Sequence, residues 1–122
     1  MPRPTEMRSR LLRFALTLPG AYEDHPWGES VVKVGKKIFL FLGVEGSTDA
    51  GVGVKLPTSQ TLALAQPRVA PMGYNLARSG WVGVKFRGGP PYEVLRDWVL
   101  ESYRAVAPKR LAAQLGVTDH TA

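Results

Sequence analysis

The chain contains no cysteine among its 122 residues, which excludes both a disulfide framework and a thiolate metal site. It has only two histidines, His25 and His120. Long apolar runs are missing too. The longest, over residues 38–42, falls far short of the roughly 20 residues a membrane-spanning helix needs. Arg3, Arg8 and Arg10 make the N-terminus basic, but no continuous apolar stretch with a small-residue cleavage site follows them, so a secretory signal is not indicated. These absences point to a cytoplasmic protein with no membrane association. Acidic residues are the last scarcity. None lies between Asp49 and Glu93, whereas Lys55, Arg68, Arg78, Lys85 and Arg87 all fall there.

What is present is ordinary for a globular protein. The hydrophobic share is 44% and the charged share 21%, and the length suits one domain with a core of its own. No linker, repeat or low-complexity tract divides it, so residues 1–122 read as a single domain with its core over about 5–115. Sixteen lysines and arginines against ten acids give a net charge of +6 and a pI near 10.0. Such a balance attracts nucleic acid or another anionic surface, though it also serves solubility alone.

Periodicity sets the expected elements. Met7, Leu11, Phe14 and Leu18 recur at helical spacing, predicting an amphipathic helix over 5–18 that Thr5 caps and Pro19-Gly20 ends. Residues 21–30 read as an irregular segment. Strands follow over 31–34 and 37–42, joined by a tight turn at Gly35-Lys36. A turn cluster over 43–50 leads to a third strand over 51–56, where small and apolar residues alternate. Pro57 stops it, and Thr58 can cap a short helix to about 65. Residues 66–79 read as a loop, 81–86 as a strand, and 91–106 as the longest helix. Leu95, Trp98, Val99, Ser102 and Val106 form that helix's buried stripe. A terminal helix beginning near Pro108 is expected to close at Gly116. The order predicts an α+β fold, an antiparallel sheet with helices packed on one face and the other face partly open.

Several segments carry a family resemblance. Asp24-His25-Pro26-Trp27-Gly28-Glu29, then Lys33-Val34-Gly35-Lys36-Lys37-Ile38-Phe39, look like an opening signature. Gly53-Val54-Lys55-Leu56, the run PMGYNLARSGW from Pro71 to Trp81, Glu101-Ser102-Tyr103-Arg104 and Ala107-Pro108-Lys109-Arg110-Leu111 continue it in order. Together they resemble the MmcQ/YjbR family over about residues 11–115. The resemblance implies a CyaY-like fold, related in shape to frataxin. It also implies the DNA-binding description many members carry, which derives from comparison with double-wing nucleic-acid binders. Frataxin-type iron binding needs an acidic first helix, whereas this one carries Arg8, Arg10 and Arg13.

The search for chemistry predicts no enzyme. His120 lies in the expected frayed tail, and no serine sits in a G-x-S-x-G setting beside His25, so no catalytic residue is assigned. Glu23, Asp24, His25 and Glu29 suit a divalent ion by donor type, but one histidine alone lacks ligand spacing. The same residues serve equally as solvated loop carboxylates and a turn-fixing imidazole, and no metal or other cofactor is expected. Gly51-Val52-Gly53 lacks the third glycine of a dinucleotide fingerprint. Gly88-Gly89-Pro90-Pro91 precedes a helix, yet its prolines carry no N–H donors for an anion.

Nucleic acid is the expected partner. Lys33, Lys36 and Lys37 surround the first hairpin turn, and Arg68, Arg78, Lys85 and Arg87 flank a second loop-strand unit, so these seven are the candidate phosphate contacts. The alternative is a small-molecule or protein ligand in an aromatic pocket on the open sheet face. His25, Trp27, Tyr74, Asn75 and Trp81 are its candidate lining. Trp81 and Phe86 also fit the core by strand alternation, and Tyr22 and Trp27 fit a packed sheet edge.

Overall fold

The computed structural model describes residues 3–43, 50–73 and 75–119. Helix α1 (Pro4–Leu16) is followed by β1 (Ala21–Asp24), β2 (Ser30–Val34), β3 (Lys37–Gly43) and β4 (Gly51–Lys55). Then come the short α2 (Gln60–Leu64), β5 (Val69–Pro71), a 3-10 turn (Leu76–Ser79) and β6 (Trp81–Lys85), and finally α3 (Tyr92–Val106) and α4 (Lys109–Asp119). The strands form one six-stranded sheet in the order β1-β2-β3-β4-β6-β5, and every neighbouring pair is antiparallel. The α+β class and the antiparallel sheet are as the sequence predicts. Tyr74 and the turn cluster over 44–49 lie outside the described residues.

Two strands were not expected. β1 occupies part of the segment read as irregular. Its sequence, Ala-Tyr-Glu-Asp, has no apolar alternation because it is an edge strand held by β2 alone. β5 lies in the expected loop. It is three residues long and ends in Pro71, which an edge position tolerates because no outer strand needs its N–H. Three ends also move. Arg3, not Thr5, occupies the cap position of α1, with proline in its first turn. The start of α2 is held from a distance: the Glu101 carboxylate accepts from the Thr58 and Ser59 N–H groups at 2.9 and 3.0 Å and from the Ser59 hydroxyl at 2.6 Å. α4 runs past Gly116.

The core lies between the sheet and the α1/α3 pair. Met7, Leu11, Ala15 and Leu18 meet Leu95, Val99 and Tyr103 over a floor of Val32, Leu40, Val54 and Val82. In α3 the buried stripe is Leu95, Val99, Ser102 and Tyr103. Trp98 and Val106, expected there, are only half-buried. Arg8 is buried, not surface-lying, and its Nε donates to the Leu42 carbonyl at 3.4 Å.

β3 carries two register shifts against β2: Val32 pairs with Leu40 but Lys33 with Ile38, and Val31 pairs with Phe41 but Ser30 with Gly43. Phe39 is the extra residue of the first shift. Its ring meets Tyr103 edge-on at 5.3 Å. The Ser102 hydroxyl accepts from the Lys55 N–H at 2.8 Å and donates to the Phe39 carbonyl at 2.5 Å. It thus bridges β3 and β4 just beyond their Leu40–Val54 pair. The Tyr103 hydroxyl reaches past the sheet to donate to the Pro19 carbonyl, pinning the chain where it leaves α1. No helix among the described residues is long and apolar enough to cross a membrane.

Candidate binding site on the open sheet face

The central strands have opposite characters on their two faces. In β4 the sequence Gly51-Val52-Gly53-Val54 alternates strictly, and β6 repeats the pattern as Val82-Gly83-Val84. Side chains along a strand point alternately to either face, so the valines enter the core and the glycines lie on the face away from the helices. Register brings Gly53 directly opposite Gly83, and Gly51 opposite Lys85. An antiparallel face turned to solvent ordinarily carries polar side chains. Here its centre carries none.

This bare lane floors a hollow of about 830 Å³. Phe41 and Trp27 stand on one side and Pro71, Met72 and Leu76 on the other, with Glu29, Arg68 and Lys85 at the walls. From β3 to β5 the hollow crosses three strand spacings, roughly 14 Å. Glycine is required for two separate reasons. A Cβ on Gly53 would stand 2.8 Å from Met72 Sδ and 3.2 Å from Phe41 Cδ2, so its absence lets the methionine lie flat on the sheet. A Cβ on Gly51 would come within 2.1 Å of the Val84 carbonyl oxygen, a backbone approach only glycine permits. Gly83 has ordinary room, its nearest neighbour being Met72 Cγ at 3.7 Å.

The candidate pocket residues fare differently. Trp27, expected against the sheet edge or in the pocket, is 72% exposed and stands at the rim of the hollow. Tyr22 is also exposed, its hydroxyl donating to the Gly35 carbonyl at 2.6 Å. Trp81 is buried and meets Phe41 edge-on at 5.1 Å, so it backs the wall without lining it. His25 and Asn75 do not line the hollow. His25 is exposed and pairs through Nε2 with Glu23 at 3.1 Å, while Asn75 is an exposed turn residue with a left-handed backbone. The lining residues that sequence reading missed include Phe41, Pro71, Met72, Leu76, Glu29 and the glycines. Their only sequence signal is the glycine–valine alternation on two strands.

The basic candidates fall into separate places. Arg68, Lys85 and Arg87, all exposed, form one corner at the end of β6. The Lys85 N–H donates to the Arg68 carbonyl at 3.0 Å, and Arg68 Nε donates to the Arg87 carbonyl at 3.1 Å. Arg68 holds a left-handed backbone with φ +67° to do this. Arg78 lies at the opposite end of β6, in the last turn of the 3-10 segment. Lys36 and Lys37 are exposed at the β2–β3 turn. Lys33 turns back to Asp24, Nζ to Oδ2 at 3.1 Å. The His25 N–H and then Lys33 hold the Asp24 carboxyl below its usual range. Among the described residues, no group of three or more potential metal ligands gathers.

A small α+β domain with helices on one face of an antiparallel sheet, and a glycine-floored hollow on the other, is the class of protein this geometry defines. The YjbR family model matches residues 16–105, and the chain belongs to that family. Among solved structures, a Deinococcus radiodurans protein carrying a DUF419 domain is similar, with 26% identity and a TM-score of 0.73 over 95% of this chain and 92% of its own. A Pseudomonas syringae protein has the same fold at 17% identity and a TM-score of 0.62, over 80% of this chain and 96% of its own. No curated protein matches.

Proposed function

We propose that this domain is a binding module, not an enzyme, and that it holds nucleic acid weakly and without sequence preference through the phosphate backbone. The observation that carries this reading is the corner where Arg68, Lys85 and Arg87 are tied together by two hydrogen bonds. Gathering like charges opposes folding slightly, and it produces the field that attracts a polyanion. The chain's net charge of +6 extends that field. Arg78, Lys36 and Lys37 supply further cations at the ends of interior strands. Lys33, compensated by Asp24, contributes least. His25, exposed and paired with Glu23, suits a surface role better than a general base in a sheltered site. A cysteine-free, basic chain of this kind fits a cytoplasmic setting.

Fluorescence anisotropy of labelled DNA and RNA at two salt concentrations tests the reading. Binding is expected to weaken steeply with salt. Arg87→Ala should lower both affinity and the log–log salt slope, the latter by roughly 0.7–0.9 if one phosphate contact is lost. Absence of binding at low salt, or binding indifferent to salt, sinks it. The hollow itself supports a second reading, a small-molecule or protein ligand on the open face, because its volume of about 830 Å³ lies within the range of ligand sites. Salt-independent binding would favour that reading.

A further inference from the structure

We infer that the glycine-floored hollow receives an unstacked base of a single-stranded nucleic acid while the adjoining corner holds its phosphates. The inference rests on the phosphate-binding reading above and names which form of nucleic acid this face takes. Three observations converge on it. The hollow is predominantly apolar, with Phe41, Met72 and Trp27 offering ring and thioether surface to a planar heterocycle. Trp27 keeps 72% of its surface exposed at the rim, which is where a sequence-tolerant stacking platform has to stand. The same hollow includes Arg68 and Lys85 in its wall, and Arg68 is bonded to Arg87. A ligand that enters between the aromatics therefore meets cations at one end.

Charge complementarity selects the occupant. An apolar ligand would make no use of the Arg68 and Lys85 charges in the wall, and duplex DNA keeps its bases stacked and cannot place one on the sheet. A single strand offers both a free π-face and a phosphate within one nucleotide's reach. Glu29, the carboxylate among the lining residues, would repel a phosphate but can accept from the amino or ring N–H groups of a base. Charge within the hollow is thus divided into a cationic end for the backbone and an anionic group for the base. Gly83 belongs to the same design, because its face is left bare although packing leaves ordinary room for a methyl group there.

The test compares three labelled oligonucleotides of equal length by anisotropy: a single strand, the matching duplex and an abasic strand with the same phosphates. The single strand should bind roughly five- to tenfold more tightly than the abasic strand, the effect of one stacked base. Trp27→Ala should abolish that difference and leave duplex and abasic binding unchanged. Arg87→Ala should weaken all three. Because Trp27 is exposed, its removal leaves the fold intact, and circular dichroism checks this directly. Equal affinity for single and abasic strands, with Trp27→Ala inert, overturns the inference while the phosphate reading stands, and leaves the hollow to a small-molecule or protein occupant. No binding of any oligonucleotide at low salt overturns both.

Discussion

Replacing Gly83 by alanine should stabilise this protein, and replacing Gly51 should damage it, although both glycines lie on the same face of adjacent strands. At Gly83 a Cβ meets Met72 Cγ at 3.7 Å and the Ala70 carbonyl oxygen at 3.9 Å, ordinary contacts, and the backbone is not left-handed. The methyl group then acts chiefly by narrowing the unfolded ensemble, an effect of about 0.4–1 kcal/mol. Unfolding entropy of about 2.1 cal/mol/K per residue converts this into a Tm rise of roughly 2–4 °C for a chain of this length. At Gly51 the same methyl group would lie 2.1 Å from the Val84 carbonyl oxygen. The β4 and β6 backbones must part to admit it, at a cost of about 1–3 kcal/mol by analogy with overpacked cores. Urea denaturation followed by circular dichroism gives both values, with an unchanged m confirming that the folded and unfolded states are comparable. Loss of stability in Gly83→Ala, or neutrality of Gly51→Ala, would refute the placement of the glycine lane.

Ser102→Ala removes the hydroxyl that serves both the Lys55 N–H and the Phe39 carbonyl, and should cost about 1–3 kcal/mol in urea denaturation through the groups left unpaired. Glu101→Gln keeps the shape of the group that holds the start of α2 but removes its charge, and a loss of about 1 kcal/mol is expected in the same assay. Burial holds the Tyr103 hydroxyl above its ordinary 10.0. Its share of stability is therefore whole below about pH 10 and fades as pH rises toward the folded value, and Tyr103→Phe should remove that alkaline dependence. The Asp24 carboxyl is held below 3.8 by the His25 N–H and then by Lys33. Its contribution is present above the unfolded value and fades as pH falls through the folded one, so Asp24→Asn should flatten the acid limb of a urea-midpoint profile.

The elements legible in the sequence are those whose burial imposes a period. α1 and α3 bury one stripe each, and β3 and β6 carry apolar runs, so pattern alone locates them. β1 and β5 are edge strands with one neighbour and little burial, and the sheet, not their composition, makes them strands. Tyr103 escaped the expected stripe because the arc α3 buries is rotated away from Trp98 and toward Tyr103, and because its hydroxyl finds the Pro19 carbonyl 84 positions away. The basic candidates were legible as residue types but not as a surface. Only tertiary contacts bring Arg68 beside Lys85 and Arg87 and leave Arg78 at the far end of β6. Trp27 illustrates the same limit: an aromatic in an irregular segment reads as a packed edge, and it is the surrounding strands that leave it exposed at a rim.

The glycine lane sharpens what an open sheet face can mean. Gly51 and Gly53 are explained by the fold itself, one by the Val84 carbonyl and the other by the flattened Met72 side chain. Gly83 is not, since alanine would fit there and favour the folded state. A side chain at 83 would rise from the floor beside Met72, into the hollow that Gly83 lines. Stability and occupancy therefore make opposite demands on that one position, and the bare floor is the arrangement that serves occupancy. If Gly83→Ala raised stability without weakening single-strand binding, the floor would have no tie to binding, and the site would shrink to Trp27 and the basic corner.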